Sequence, residues 1–89
     1  MANLQSEINR AQRARDLLNN DLLVEAFSVL NRTYLDAWRA APVRDTEGRE
    51  SLWHMVKALD AFRGHLESAV ETGRMAESQL ADLRRNPQT

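Results

Sequence analysis

From Leu52 to Leu80 a hydrophobic or small residue recurs every three or four positions without a break: Leu52, Val56, Leu59, Phe62, Leu66, Val70, Gly73, Ala76 and Leu80. Residues at that spacing share one face of an α-helix, so the stretch predicts a single helix from about Thr46 to Leu83. A pattern of this length belongs to a coiled-coil-like or hairpin helix, and such a helix needs a partner along its whole stripe. Gly73 is the weak point on the stripe itself: a mid-helix glycine costs about 1 kcal/mol relative to alanine and predicts a bend or fraying there.

The remaining chain reads as that partner. In "LLVEAFSVLNRTYLDAWRAA", Leu23, Phe27, Leu30, Tyr34, Trp38 and Ala41 step by four and three, predicting a helix over about 21–41 with one broad apolar face. Pro42 ends it, because proline lacks the amide donor and pushes the preceding residue out of the helical region. Upstream, Leu4, Ile8, Ala11, Ala14 and Leu18 form a narrower stripe centred on alanine, predicting a helix over about 3–18. The "NND" at Asn19–Asp21 interrupts the two: Asn tolerates a left-handed helix end, and Asn20 or Asp21 can cap a new start. With three glycines, two prolines and few β-branched residues in the chain, nothing competes with helix elsewhere.

Length then fixes a topology. Residues 1–89 read as one helical domain: two helices, a turn at 42–45, the long helix, and a polar tail at 84–89 that Pro87 keeps from continuing. The first two helices together match the third, each arm being about 57 Å long at about 1.5 Å per residue. The expected architecture is therefore all-α: a long antiparallel hairpin of three helices with one kinked arm, Phe27, Tyr34 and Trp38 facing Leu52, Val56, Leu59 and Phe62, and Leu4, Ile8 and Ala11 running beside Gly73, Ala76 and Leu80. A two-layer hairpin leaves one side of its seam open, which predicts completion by oligomerisation.

The corner "RAAPVRDTEGRESLW" has two readings. Asp45 or Thr46 can cap the third helix, and Glu47 and Glu50 place negative charge in its first turn, where the helix dipole favours it. Alternatively Arg44, Asp45, Arg49 and Glu50 form a recognition knob. Trp38 lies on the main stripe and reads as core. Trp53 and Met55 lie at the edge of the Leu52–Val56 stripe, where aromatic and Met side chains serve either intrachain packing or an interface.

Chemistry-bearing constellations are sparse. His54 and His65 are about 16 Å apart along a helix and do not share one ion; Glu50 with His54 supplies two ligands where more are needed. There is no cysteine, hence no disulfide framework and no thiolate metal site. The serines lie within helical patterns with no nucleophile elbow, no phosphate-binding glycine loop occurs, and the sequon at Asn31–Thr33 falls mid-helix. No enzymatic activity and no cofactor are expected. The 12 basic and 13 acidic residues leave a net charge of −1, which counts against a dedicated nucleic-acid binder. The one candidate for such a role is a basic patch of Arg10, Arg13, Arg84 and Arg85. No apolar run approaches the length of a membrane span, and the polar face of the second helix has no basic enrichment, so no membrane role is expected. The first residues lack the apolar core of a secretory signal, predicting an intracellular or particle-borne protein.

Residues 14–76 resemble a group of small, mostly uncharacterised helical proteins encoded by tailed bacteriophages among head and assembly genes. The features that carry the resemblance are Leu17–Leu18, Ala26–Phe27, Tyr34 with Trp38, "RDTEGRE" from Arg44 to Glu50, Leu52–Trp53, and "ETG" from Glu71 to Gly73. Asp21 stands where that group has a proline, which implies a softer kink. The resemblance implies a virion-associated or assembly-accessory protein, acting in the host cytoplasm or the virion. Its partners would be copies of itself, a phage structural protein or a host protein; the resemblance brings no catalytic or ligand motif.

Overall fold

The computed structural model describes residues 3–86. It holds three α-helices, α1 (Leu4–Leu18), α2 (Asp21–Ala40) and α3 (Thr46–Arg85), and no strand among the described residues. The fold is all-α. Each helix start is fixed by a side chain. Asn3 accepts from the Gln5 and Ser6 amides, Asn20 from Leu23 at 3.0 Å, and Asp45 from Gly48 at 3.0 Å. Each therefore satisfies donors that the first turn leaves without partners.

Two boundaries and one helix-end conformation differ from the expectation. Asn19 ends α1 at φ −99°, not in the left-handed region, its amide bonding back to Arg15 at 3.0 Å. Ala41 lies outside α2: it is extended at ψ 137°, the conformation that the following proline imposes, and its amide closes the helix on Ala37 at 3.0 Å. Arg84 and Arg85, read as the start of a polar tail, instead form the last turn of α3, where cations face the negative end of the helix dipole. Pro87 and the tail beyond it lie outside the described residues.

The packing divides the chain into two compact units. Among the described residues, 3–19 pack with 65–86, and 20–64 form the other unit. The physical reason is the break at Asn19–Asn20, which gives each half of α3 a helix of its own to pair with.

The first unit is built on small side chains. Ala11, Ala14, Ala69 and Ala76 are buried, and Gly73 is buried among them. A Cβ built on Gly73 would lie 2.0 Å from the Ala11 Cβ and 3.1 Å from the Glu7 carbonyl oxygen. The two backbones approach closely because this position carries no side chain. Gly73 is thus a packing residue, not the bend that its low helix propensity predicts; its φ is not positive and α3 runs through it unbroken. Leu4, Ile8, Leu18, Leu66, Val70 and Leu80 flank the contact half-buried. At its edges Arg10 reaches His65 at 3.3 Å and Arg15 meets Glu77 at 3.9 Å.

The second unit pairs α2 with the first half of α3. Phe27 meets Phe62 with ring centroids 5.5 Å apart, and Trp38 meets Arg49, so the contacts run in opposite order along the two helices. Leu23, Phe27, Tyr34, Trp38, Leu52 and Leu59 are half-buried, but only Val56 is fully so, and α2 contributes no buried residue at all. A helix with this broad an apolar face ordinarily buries part of it completely. Leu30 and Phe62, placed on the packed stripes by their spacing, remain 40% and 57% exposed.

Candidate recognition groove at the helix corner

The turn Ala41–Asp45 reverses the chain through three backbone bonds: Asp45 N–H to Pro42 at 3.0 Å, Thr46 N–H to Arg44 at 2.9 Å, and Arg49 N–H to Asp45 at 3.0 Å. Arg49, in the first turn of α3, reaches back across this corner. Its Nη1 donates to the carbonyls of Trp38 at 3.1 Å and Ala41 at 3.2 Å, and its guanidinium lies 4.2 Å from the centre of a Trp38 ring. The last carbonyls of a helix have no intrahelical donor, and a cation there also opposes the negative end of the dipole. Arg49 is therefore the clasp that closes α2 onto α3, with a cation–π contact added.

Beside the clasp is an open groove of about 580 Å³, lined by Trp38, Val43, Thr46, Arg49, Glu50 and Trp53. It brings together three of the six residues read from the sequence as a candidate interface: Arg49, Glu50 and Trp53. Arg44 and Asp45 sit in the turn without lining it, and Asp45 is occupied as the α3 cap. Met55 is separated from Trp53 by two residues, about 200° around the helix, so the pair does not form one anchor. Trp53 is 47% exposed, and Lys57 lies 4.6 Å over its ring. Chemically the groove offers two indoles and a valine, one carboxylate at Glu50, and a guanidinium already committed to carbonyls. That arrangement suits an apolar or aromatic side chain with a cationic neighbour.

Other candidates resolve locally. Arg85 is tied to Asp82 on its own helix and Arg10 to His65, so two of the four arginines of the basic patch have partners within the chain. No group of three His, Asp or Glu side chains able to hold a metal occurs among the described residues. The Arg74 guanidinium, hydrogen-bonded to Glu71 and attracting it electrostatically, holds that carboxyl below the ordinary carboxylate range. This pair is an exposed ion pair on α3. None of the described helices is long and apolar enough to cross a membrane.

Comparison with protein families, curated proteins and solved structures finds no match to this chain.

Replacing Arg49 by alanine is expected to cost about 1–3 kcal/mol, the range for charge-assisted bonds: the Ala41 carbonyl loses its side-chain donor, and the Trp38 carbonyl keeps only the longer bond from the Ala41 N–H at 3.3 Å. Trp38 emission should shift to the red as the corner loosens, and lysine, keeping charge but not the fork, should fall between. Urea unfolding followed by fluorescence checks both; an unchanged midpoint for Arg49→Ala would show that the clasp is ornamental.

Proposed function

We propose that this chain is a non-enzymatic, self-associating helical protein of a tailed bacteriophage, serving head or packaging assembly, and that its hairpin is completed by further copies. One observation carries the self-association: α2 has the broadest apolar face in the chain and buries none of its residues, with Leu22 72% exposed. Exposed apolar surface rimmed by polar residues marks an interaction site. The phage context comes from the resemblance across residues 14–76, which implies the host cytoplasm or the particle as its location. In this arrangement the two arms form one long antiparallel hairpin with a kink at Asn19–Asn20.

The groove favours a second reading, a phage adaptor that takes a host protein's side chain between Trp38 and Trp53. Infected-cell lysate containing the tagged chain, separated by sedimentation, distinguishes the two. Migration with heads or head intermediates supports the assembly role. Absence from every particle fraction, with stable capture of one host protein that Trp53→Ala abolishes, would replace it with the adaptor.

A further inference from the structure

The second unit has two unlike sides. Its packed residues on α2 are Leu23, Phe27, Tyr34 and Trp38, and the residue just before each is Leu22, Ala26, Thr33 and Ala37. On α3 the packed Leu52, Val56 and Leu59 are preceded by Ser51, Met55 and Ala58. None of these preceding residues is charged. One residue is about 100° of helix rotation, and an equal offset on two helices running in opposite order falls on the same side of the layer. That side is therefore a continuous uncharged surface, and the structure leaves it open, with Val29 and Met55 about half exposed. The residues that follow the packed ones are Val24, Ser28, Leu35, Arg39, Trp53, Lys57 and Asp60, so the opposite side mixes apolar residues with all the charges of the two sets.

On α2 the open side has the pattern of a helix seam: Leu22, Ala26, Val29, Thr33, Ala37 and Ala40 step by four and three. Its one polar member is already satisfied, since the Thr33 hydroxyl donates to the Val29 carbonyl at 2.7 Å. Thr33 thus enters a buried seam without leaving an orphaned hydroxyl.

We infer that this surface is a two-fold interface with a second copy of the chain, in which α2 packs antiparallel on its counterpart with Ala26 opposite Ala37. The inference rests on the self-association proposed above and names its surface and orientation. Three observations select this occupant. The charged edge beside the seam has Asp21 and Glu25 at its N-terminal end and Arg39 at its C-terminal end. Antiparallel pairing sets Glu25 of one copy near Arg39 of the other, twice by symmetry, whereas parallel pairing brings like charges to one level. Arg32 falls near the two-fold axis with Asp36 one turn away on its own helix. The small residues Ala26, Thr33 and Ala37 fit a helix of their own kind at close range. Finally, α2 has 20 residues, about 30 Å, and two helices each about 10 Å across give roughly 600 Å² per copy. The total of roughly 1,200 Å² reaches the size of a specific interface.

The chain has no cysteine, so introduced thiols report without background. Full-length Ala26→Cys and Ala37→Cys proteins, mixed and oxidised, are expected to give a 26–37 cross-linked pair, with little 26–26 or 37–37 product. Predominant self-pairs would overturn the orientation. Absence of cross-links from a preparation that light scattering shows to be oligomeric would move the interface elsewhere and overturn this inference while leaving self-association intact. Absence of cross-links from a monomeric preparation would overturn both.

Discussion

Gly73→Leu will destabilise the chain by about 3 kcal/mol or more, while Gly64→Ala, nine positions earlier in the same helix, will stabilise it by up to about 1 kcal/mol. Both glycines lie inside α3, and propensity alone predicts a gain from replacing either. What separates them is the neighbour. A Cβ at Gly64 meets nothing within 4 Å, whereas at Gly73 it would stand 2.0 Å from the Ala11 Cβ and 3.1 Å from the Glu7 carbonyl. Those neighbours are helix backbone and a methyl group that has no other rotamer, so relief requires the two helices to move apart. A domain of this size has roughly 4–13 kcal/mol of stability in total, so the loss is a large share of it. Gly73→Ala falls between, its propensity gain offset by the same collision. Urea midpoints for the three variants settle the matter. Equal gains at both sites would mean that α1 does not approach α3 through Ala11.

The second large effect is expected at Val29. A glutamate there places an unpaired carboxylate in the α2 seam, twice in a symmetric pair, and an uncompensated buried charge costs several kcal/mol. Association should weaken by at least about 100-fold, equivalent to about 2.7 kcal/mol. Ser28→Glu, one residue earlier and on the far side of the charged edge, adds the same charge outside the seam and should leave association unchanged. Sedimentation of both variants over a range of concentrations is the check. Equal weakening by the two would assign the effect to net charge and not to the seam.

Helix identity was legible because it depends on spacing along the chain: the step from Leu52 to Leu80 and the stop at Pro42 are local signals. The caps were legible for the same reason, as Asn20 and Asp45 act within three residues of themselves. What could not be read depends on a second helix. The matching arm lengths set Gly73 beside Ala11, yet its low helix propensity, a local property, made it look like a weak point; how closely the two backbones approach there was not legible. Arg49 was read only as part of a recognition knob because the carbonyls it clasps belong to Trp38 and Ala41, across the turn; an arginine one turn into the helix after a proline stop is the available signal. The α2 seam was missed because its apolar arc is wide enough to hold two faces, and the larger side chains of Phe27, Tyr34 and Trp38 drew attention to one of them. Of the candidate interface, Glu50 and Trp53 line the groove and Arg49 serves it as a clasp, while Met55 belongs to the opposite side.

The central claim is that α2 is covered by another copy of the chain. Light-scattering mass of the purified protein across a concentration range tests it most directly. The predicted result is a defined oligomer with an even number of subunits, dissociating only on dilution. A stable, soluble monomer at every concentration, with Leu22 and Val29 still open to solvent, would contradict it.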